Sequence, residues 1–489
     1  MSRQPTRGWR AIRGRIAVVA ALALVSGALA AGPPALAAPD GSGGADKKID
    51  AELAADFGKD STQDFFVRFA DKADLTAASK VKGWGPRGDA VWKALVKNAE
   101  RSQEGVIADL ERRGVDYKSY PINNSLLVRS GTSSLASTLA SDPQVSEIEA
   151  PATVQLEKPL DAKPEHKVNA VEWGIADIRA DETWADFGVD GNGIVVGSID
   201  SGVEYTHPAL VGKYRGNLGN GNFDHNYNWF DPSEVCGDPE PCDNNDHGTH
   251  TMGTMVGSDG DNQIGVAPGA RWMSAKGCET NSCSEFALTE AATWMLHPTD
   301  LNGENPDASK RPNIINNSWG GGPDDDWYES FVDAWVAAGM FPSWSNGNSG
   351  PGCDTAGAPG EYVQSYAAGN HTINRTIASS SSRGPGVGDD VKPNISAPGT
   401  AVRSSIPGDG YAAFIHRHLD GSAARLGLRR AAVGGGSVAR RRHRRHSRAA
   451  RRLRDRLGEP DLRWHRRGQQ RVRRGLPRRV LRRRGRSPR

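Results

Sequence analysis

Beyond residue 30 the chain has no apolar run near the roughly 20 residues that a membrane-spanning helix needs, which excludes a body built from spanning helices. Cysteine is sparse. There are five, Cys236, Cys242, Cys278, Cys283 and Cys353, all in the middle of the sequence. In an exported chain Cys236/Cys242 and Cys278/Cys283 are candidate local disulfides, which leaves Cys353 without a partner. The third lack is positional: residues 415–489 contain no Lys, Thr, Asn, Tyr, Cys, Met or Phe, yet carry 27 Arg against 4 acidic residues. A segment so poor in apolar side chains cannot supply a core element, and disorder is expected there. The formal net charge of +3 therefore joins an acidic body to an intensely basic end. A sign change that steep marks either a separate basic tail or a change in the origin of the sequence.

At 489 residues the chain is long enough for two or three domains. Arg3, Arg7, Arg10, Arg13 and Arg15 precede an apolar run over 16–29, and Ala35-Leu36-Ala37 follows. That order of basic, apolar and small residues predicts a secretory signal over 1–37 and a secreted, extracellular product. A polar Gly/Ser/Asp linker leads to about residue 48. Strand-like segments at 65–69, 126–128 and 145–148 then alternate with helical ones at 89–113 and 134–139, which suits a small α+β, ferredoxin-like unit.

From Trp173 onward strand and helix patterns alternate again. Strands are expected at 194–199, 271–275, 313–316 and 340–344, and helices over 250–256, 285–296 and 328–338. The pattern predicts an α/β fold with a parallel sheet flanked by helices. In such sheets working residues gather at the carboxyl ends of the strands.

Three places fit that expectation. Asp200 follows the first buried strand in Ile199-Asp200-Ser201-Gly202, His247 opens His247-Gly248-Thr249-His250-Thr251-Met252-Gly253, and Asn348 lies in Asn346-Gly347-Asn348-Ser349-Gly350-Pro351. An aspartate to hold an imidazole, an imidazole to take a hydroxyl proton and an amide to donate to an oxyanion are the supporting parts of a serine-nucleophile site. Each has a plainer reading. Asp200 could be a turn residue or cap, Asn346-Gly347 an ordinary turn, and His247 and His250 with Asp243 and Asp246 the start of a metal site.

Together these segments and Asn316-Asn317-Ser318-Trp319-Gly320-Gly321 resemble the successive motifs of the subtilisin family, in its order of Asp, His, then Ser. The resemblance runs from about residue 49 to 414 and is nearest to the bacillopeptidase F-like branch. It implies that Asp200 orients His247, that His247 is the general base and acid, that Asn348 donates to the oxyanion, and that Ser318, Trp319, Gly320 and Gly321 line the substrate channel. It implies a serine endopeptidase acting on protein or peptide substrates and probing neither nucleic acid nor membrane. It also implies an inhibitory propeptide over 48–157, a peptidase domain over 172–414, a monomer and no required cofactor, with structural calcium left open. Glycines in the channel make chemical sense, since a bound extended peptide needs close backbone approach.

The pattern then breaks. The family continues with Gly-Thr-Ser-Met-Ala, whose Ser is the nucleophile. After Gly410-Tyr411-Ala412-Ala413-Phe414 this chain reads Ile415-His416-Arg417-His418-Leu419-Asp420-Gly421 instead. One permitted coding of residues 416–421 is CAC CGG CAC CTC GAT GGC, and read one base later it gives Thr-Gly-Thr-Ser-Met. Permitted codons continue that frame as Ala-Ala-Pro-His-Val-Ser-Gly-Ser-Val-Ala-Leu-Leu-Trp through residue 433, which is how the family's serine helix reads. In the same frame residues 461–465 can encode Thr-Cys-Gly-Gly-Thr, which would supply a partner for Cys353. A one-base frameshift near Phe414 is therefore expected, with a chain inactive as written and unable to remove its own propeptide. The competing expectations are a pseudoprotease kept as a binding protein, and a polyanion-binding protein using the arginine-rich tail.

Overall fold

The computed structural model describes residues 46–156 and 163–414. The expected signal at 1–37 and the arginine-rich tail at 415–489 lie outside the described residues. The first part begins with a short helix, Ala51–Asp56, and then runs β1 (Thr62–Phe69), α1 (Trp84–Arg113), β2 (Tyr117–Tyr120), β3 (Ser125–Thr132), α2 (Ser133–Ala140) and β4 (Val145–Glu149). Its four strands pair antiparallel in the order β2-β3-β1-β4. This is the βαββαβ arrangement, with one strand more than the sequence pattern revealed. The missed strand, β2, reads Tyr-Lys-Ser-Tyr and buries only Tyr120, so it carries no apolar alternation to detect.

Alternation in β1 separates two jobs. Phe65, Val67 and Phe69 pack under α1 and α2 with Val106, Leu110, Leu135 and Leu139. Phe66 faces the other way, where Tyr120 and Leu127 meet Phe286 of the second part. The sheet is thus covered on both faces, on one of them by a neighbour from far along the chain. Helix α1 is also shared: Val91 and Leu95 join the large core of the second part, whereas Val106 and Leu110 belong to the first. It ends at Gly114, whose φ of 69° is the left-handed turn that closes many helices and whose N–H returns to Leu110 and Glu111.

An extended piece, β5 (Thr153–Gln155), leads into the second part. There β6 (Val195–Asp200), β7 (Trp229–Phe230), β8 (Arg271–Lys276), β10 (Ile314–Asn317), β11 (Phe341–Ser345), β12 (Tyr366–His371) and β13 (Ile395–Pro398) form a seven-stranded sheet in the order β7-β8-β6-β10-β11-β12-β13. Every pairing is parallel. Helices α3 (His247–Val256), α4 (Glu285–Leu296) and α5 (Glu329–Ala338) cover it. The short strand β9 (Ser282–Ser284) precedes α4, and a hairpin of β14 (Val402–Ile406) and β15 (Gly410–Phe414) closes the described chain. This is the α/β sheet expected from the sequence. Crossovers place the carboxyl ends of β6, β10 and β11 side by side, and the central position of β6 sets Asp200 between two neighbouring strand ends.

Candidate active site

Asp200 is the last residue of β6 and is fully buried, and His247 is the first residue of α3 and 1% exposed. His247 Nδ1 lies 2.5 Å from Asp200 Oδ1. The same carboxylate accepts from the Ser201 amide at 2.7 Å and from the Thr251 hydroxyl at 3.4 Å. Burial makes an unpaired carboxylate costly, and these donors together with the imidazole hold it in one orientation.

The first turn of α3 is fixed from outside the helix. Its orphan amides are taken by Ser201 Oγ, which accepts from Gly248 N at 2.9 Å, and by Asp243 Oδ2, which accepts from Thr249 N at 2.8 Å. Asp243 also accepts from the Thr249 and Ser201 hydroxyls and from Asn245 N. His250 Nε2 sits 3.2 Å from the Val402 and Ala412 carbonyls. Asp243 and His250, weighed above as metal ligands, are thus engaged in orienting α3 and tying it to the hairpin. Among the described residues there is no group of three or more His, Cys, Asp or Glu that could hold a metal.

Two glycines are required here. A Cβ on Gly248 would stand 1.9 Å from the Gly202 carbonyl, and Gly202 itself, at φ 100°, has Cys242 O at 1.9 Å from a would-be Cβ. Both contacts are with backbone, so neither can be relieved by a rotamer change. Gly248→Ala is expected to lower stability by about 2 kcal/mol or more, read as a drop in the thermal unfolding midpoint.

Burial pushes the Asp243 carboxyl up to about 6 from its ordinary 3.8, against its donated hydrogen bonds. A folded-state value above the unfolded one means that the folded chain holds the proton longer. This group's stabilisation is full below pH 3.8 and is lost as the pH rises through about 6. Asp243→Asn is therefore expected to flatten the fall in unfolding free energy across that window, by up to about 1.4 kcal/mol per pH unit, in urea titrations at stepped pH.

Asn348 lies half-buried in the loop that leaves β11. Gly347, at φ 98°, turns the chain, Asn346 Nδ2 donates to Ser382 O at 2.7 Å, and Ser349 N donates to Ser382 Oγ at 2.9 Å. The structure thus brings Asp200 and His247 into contact and sets Asn348 on the same edge of the sheet.

Residues 318–321 leave β10 on that edge, but their parts differ. Ser318 Oγ accepts from Asn316 Nδ2 at 2.7 Å. Trp319 turns inward: its indole N–H donates to Ile199 O at 3.1 Å, and its ring packs edge-on to Tyr328 and Trp344, each at 5.0 Å. Only its backbone is left for a channel. Gly320 and Gly321 are exposed, yet the atom nearest a Cβ on Gly320 is Ala358 O at 2.8 Å, and Gly321 N donates to that oxygen. At Gly320 the missing Cβ thus also makes room for the Ala358 carbonyl.

Sequence reasoning missed the extended segment at the end of the first part. β5 pairs antiparallel with β9, and Leu156 N donates to Asn281 O at 2.7 Å. Val154 and Leu156 are buried in the apolar cluster that includes Trp319, Tyr328 and Leu288. The alternation Val154, Gln155, Leu156 after Pro151 was the available signal. Where β9 begins, the Cys278–Cys283 disulfide braces the turn from β8, and Cys236–Cys242 closes the loop before Asp243. Cys353 is exposed and carries no disulfide. The two parts are further joined by Arg68, which is paired with Glu149 at 2.8 Å and with Glu285, and by Tyr120, whose hydroxyl donates to Glu290 at 2.7 Å. Burial pushes the Glu285 carboxyl up despite the Arg68 guanidinium beside it.

The parallel α/β sheet thus sets an Asp–His pair at a strand end and a helix start. Residues 191–424 match the subtilase family, and the chain belongs to that family. It is 38% identical to Bacillopeptidase F of Bacillus subtilis over 400 residues, 74% of this chain and 27% of that protein. It is 28% identical to Subtilisin E of the same species over 50% of this chain and 56% of the relative, and 28% identical to an alkaline protease of Alkalihalobacillus alcalophilus over 56% and 60%. The chain therefore spans about a quarter of the first relative's length and little more than half of the others'. These similarities support the bacillopeptidase F-like branch that the motifs indicated.

Proposed function

We propose that this chain is the precursor of a secreted serine endopeptidase whose nucleophile has been lost from the translated product by a one-base shift near Phe414. The observation that carries the reading is the buried Asp200–His247 pair, at 2.5 Å, in a chain whose residues 416–421 permit a coding that, read one base later, gives Thr-Gly-Thr-Ser-Met. In the intact protein the serine would attack a peptide carbonyl. His247 would take the hydroxyl proton and return it to the leaving amine, Asp200 would hold the imidazole with Nδ1 protonated, and Asn348 would donate to the developing oxyanion. The bond formed is the acyl ester, the bond broken is the amide, and water then releases the acid.

Residues 48–157, described as far as 156, act on this reading as an inhibitory propeptide. The support is the pairing of β5 with β9, which fills with the chain's own strand an edge that an extended substrate would use. Basic and apolar residues at the N-terminus support export, and no helix among the described residues is long and apolar enough to cross a membrane. No cofactor enters the chemistry. Reading the DNA across codons 405 to 430 tests the proposal: an alternate frame encoding Gly-Thr-Ser-Met-Ala supports it, and a different peptide there refutes it. The chain as written is expected to leave casein uncut and to keep residues 46–156 attached.

A further inference from the structure

Helix α1 begins outside its own unit's core, and its first turns make a contact that the strand pairing of β5 does not explain. Arg87 donates from Nε to Ala337 O at 2.6 Å and from Nη2 to Val336 O at 3.1 Å. Those carbonyls end α5, where four acceptors lack helical partners and the helix dipole favours a cation. From the opposite side Arg311, 2% exposed, donates to Ala338 O at 2.9 Å, and through the same Nη2 to Trp84 O at 2.7 Å. Its guanidinium lies 3.9 Å from the centre of the Trp84 ring. One arginine from each part thus closes the same helix end. One turn on, Trp92 stacks on His297 at 4.7 Å.

The fit leaves no slack. A Cβ on Gly88 would lie 2.4 Å from Arg311 Nη1 and 2.9 Å from Ala308 Cβ, and one on Gly339 would lie 2.9 Å from Arg87 Nη1. Removing the first part would strip the Val336 and Ala337 carbonyls of the Arg87 fork and take from Arg311 both the Trp84 ring and the Trp84 carbonyl. Charge-assisted bonds of this kind, partly desolvated, are strong ones.

We propose that residues 84–92 and the end of α5 form a reciprocal arginine latch, which holds residues 46–156 on the rest of the protein after the connecting chain is cut and does so independently of β5. Its occupant is the chain's own α1 start. The inference rests on reading residues 46–156 as separable by chain cleavage. It does not need peptidase activity, so its test reads association alone.

The test uses the full chain with a site-specific protease sequence inserted between residues 158 and 162. After cutting, the two fragments are expected to co-elute from a sizing column. Arg87→Ala is expected to raise their Kd about 100-fold, from the loss of two charge-assisted hydrogen bonds. Arg87→Lys, which keeps the charge and stem but loses the fork, is expected to raise it about tenfold and guards against misfolding of the alanine variant. Val154→Ser, in β5, is expected to leave the fragments together. Equal Kd values for the wild type and both Arg87 variants would overturn the latch. So would release of the fragment by Val154→Ser with no effect of Arg87→Lys.

Discussion

Deleting one base so that the frame read one base later follows Phe414 is expected to raise casein hydrolysis from background by about 10⁶-fold. That factor is the cost of removing the nucleophile in subtilisin itself, a relative of this chain. The reasoning is structural as well as genetic. Asp200 and His247 are in contact and the loop of Asn348 lies on the same edge of the sheet, where a restored serine would meet them. A supporting set without its attacking hydroxyl retains only what oxyanion donors and binding supply. The measurement is turnover of labelled casein by both proteins, secreted side by side, with the start of the mature chain read by N-terminal sequencing. Equal turnover by the two would end the lost-nucleophile account.

In the frame-corrected protein, Asp200→Asn is expected to lower kcat by about 10⁴-fold near neutral pH with little change in KM. The amide preserves shape, and with its nitrogen at the Oδ1 position its oxygen can still accept from the Thr251 hydroxyl. Facing His247 Nδ1, however, an amide favours the imidazole tautomer that carries its proton on Nε2, the wrong nitrogen to accept one from a serine. Part of the lost rate should return at high pH if hydroxide substitutes for the base, which a purely structural role of Asp200 would not produce. A fall smaller than about tenfold would remove the aspartate from the mechanism.

Much of this site was legible because its parts are local. Asp200 and His247 each sit within a few residues of a strand end or helix start, where glycine spacing and buried runs announce themselves. What was not legible is what long-range contacts decide. Asp243 reads as a possible metal ligand because it stands near His247 and His250 in sequence, whereas its four donors come from Ser201, Asn245 and Thr249, and nothing in the local pattern shows that Ser201 returns to it. The resemblance sets Trp319 in the channel with Ser318, Gly320 and Gly321, and it does not reveal that the ring packs in a cluster with Tyr328 and Trp344. Strand β2 and the β14–β15 hairpin escaped for a related reason: short strands owe their existence to their partners rather than to their own composition.

Helix α1 carries a last consequence. Because Val91 and Leu95 serve one core and Val106 and Leu110 another along thirty uninterrupted residues, the boundary between sequence segments is not a boundary in stability. The helix couples the two parts as a rigid beam couples two floors, and loosening either end removes the support on which the other end's amides depend for slow exchange with solvent.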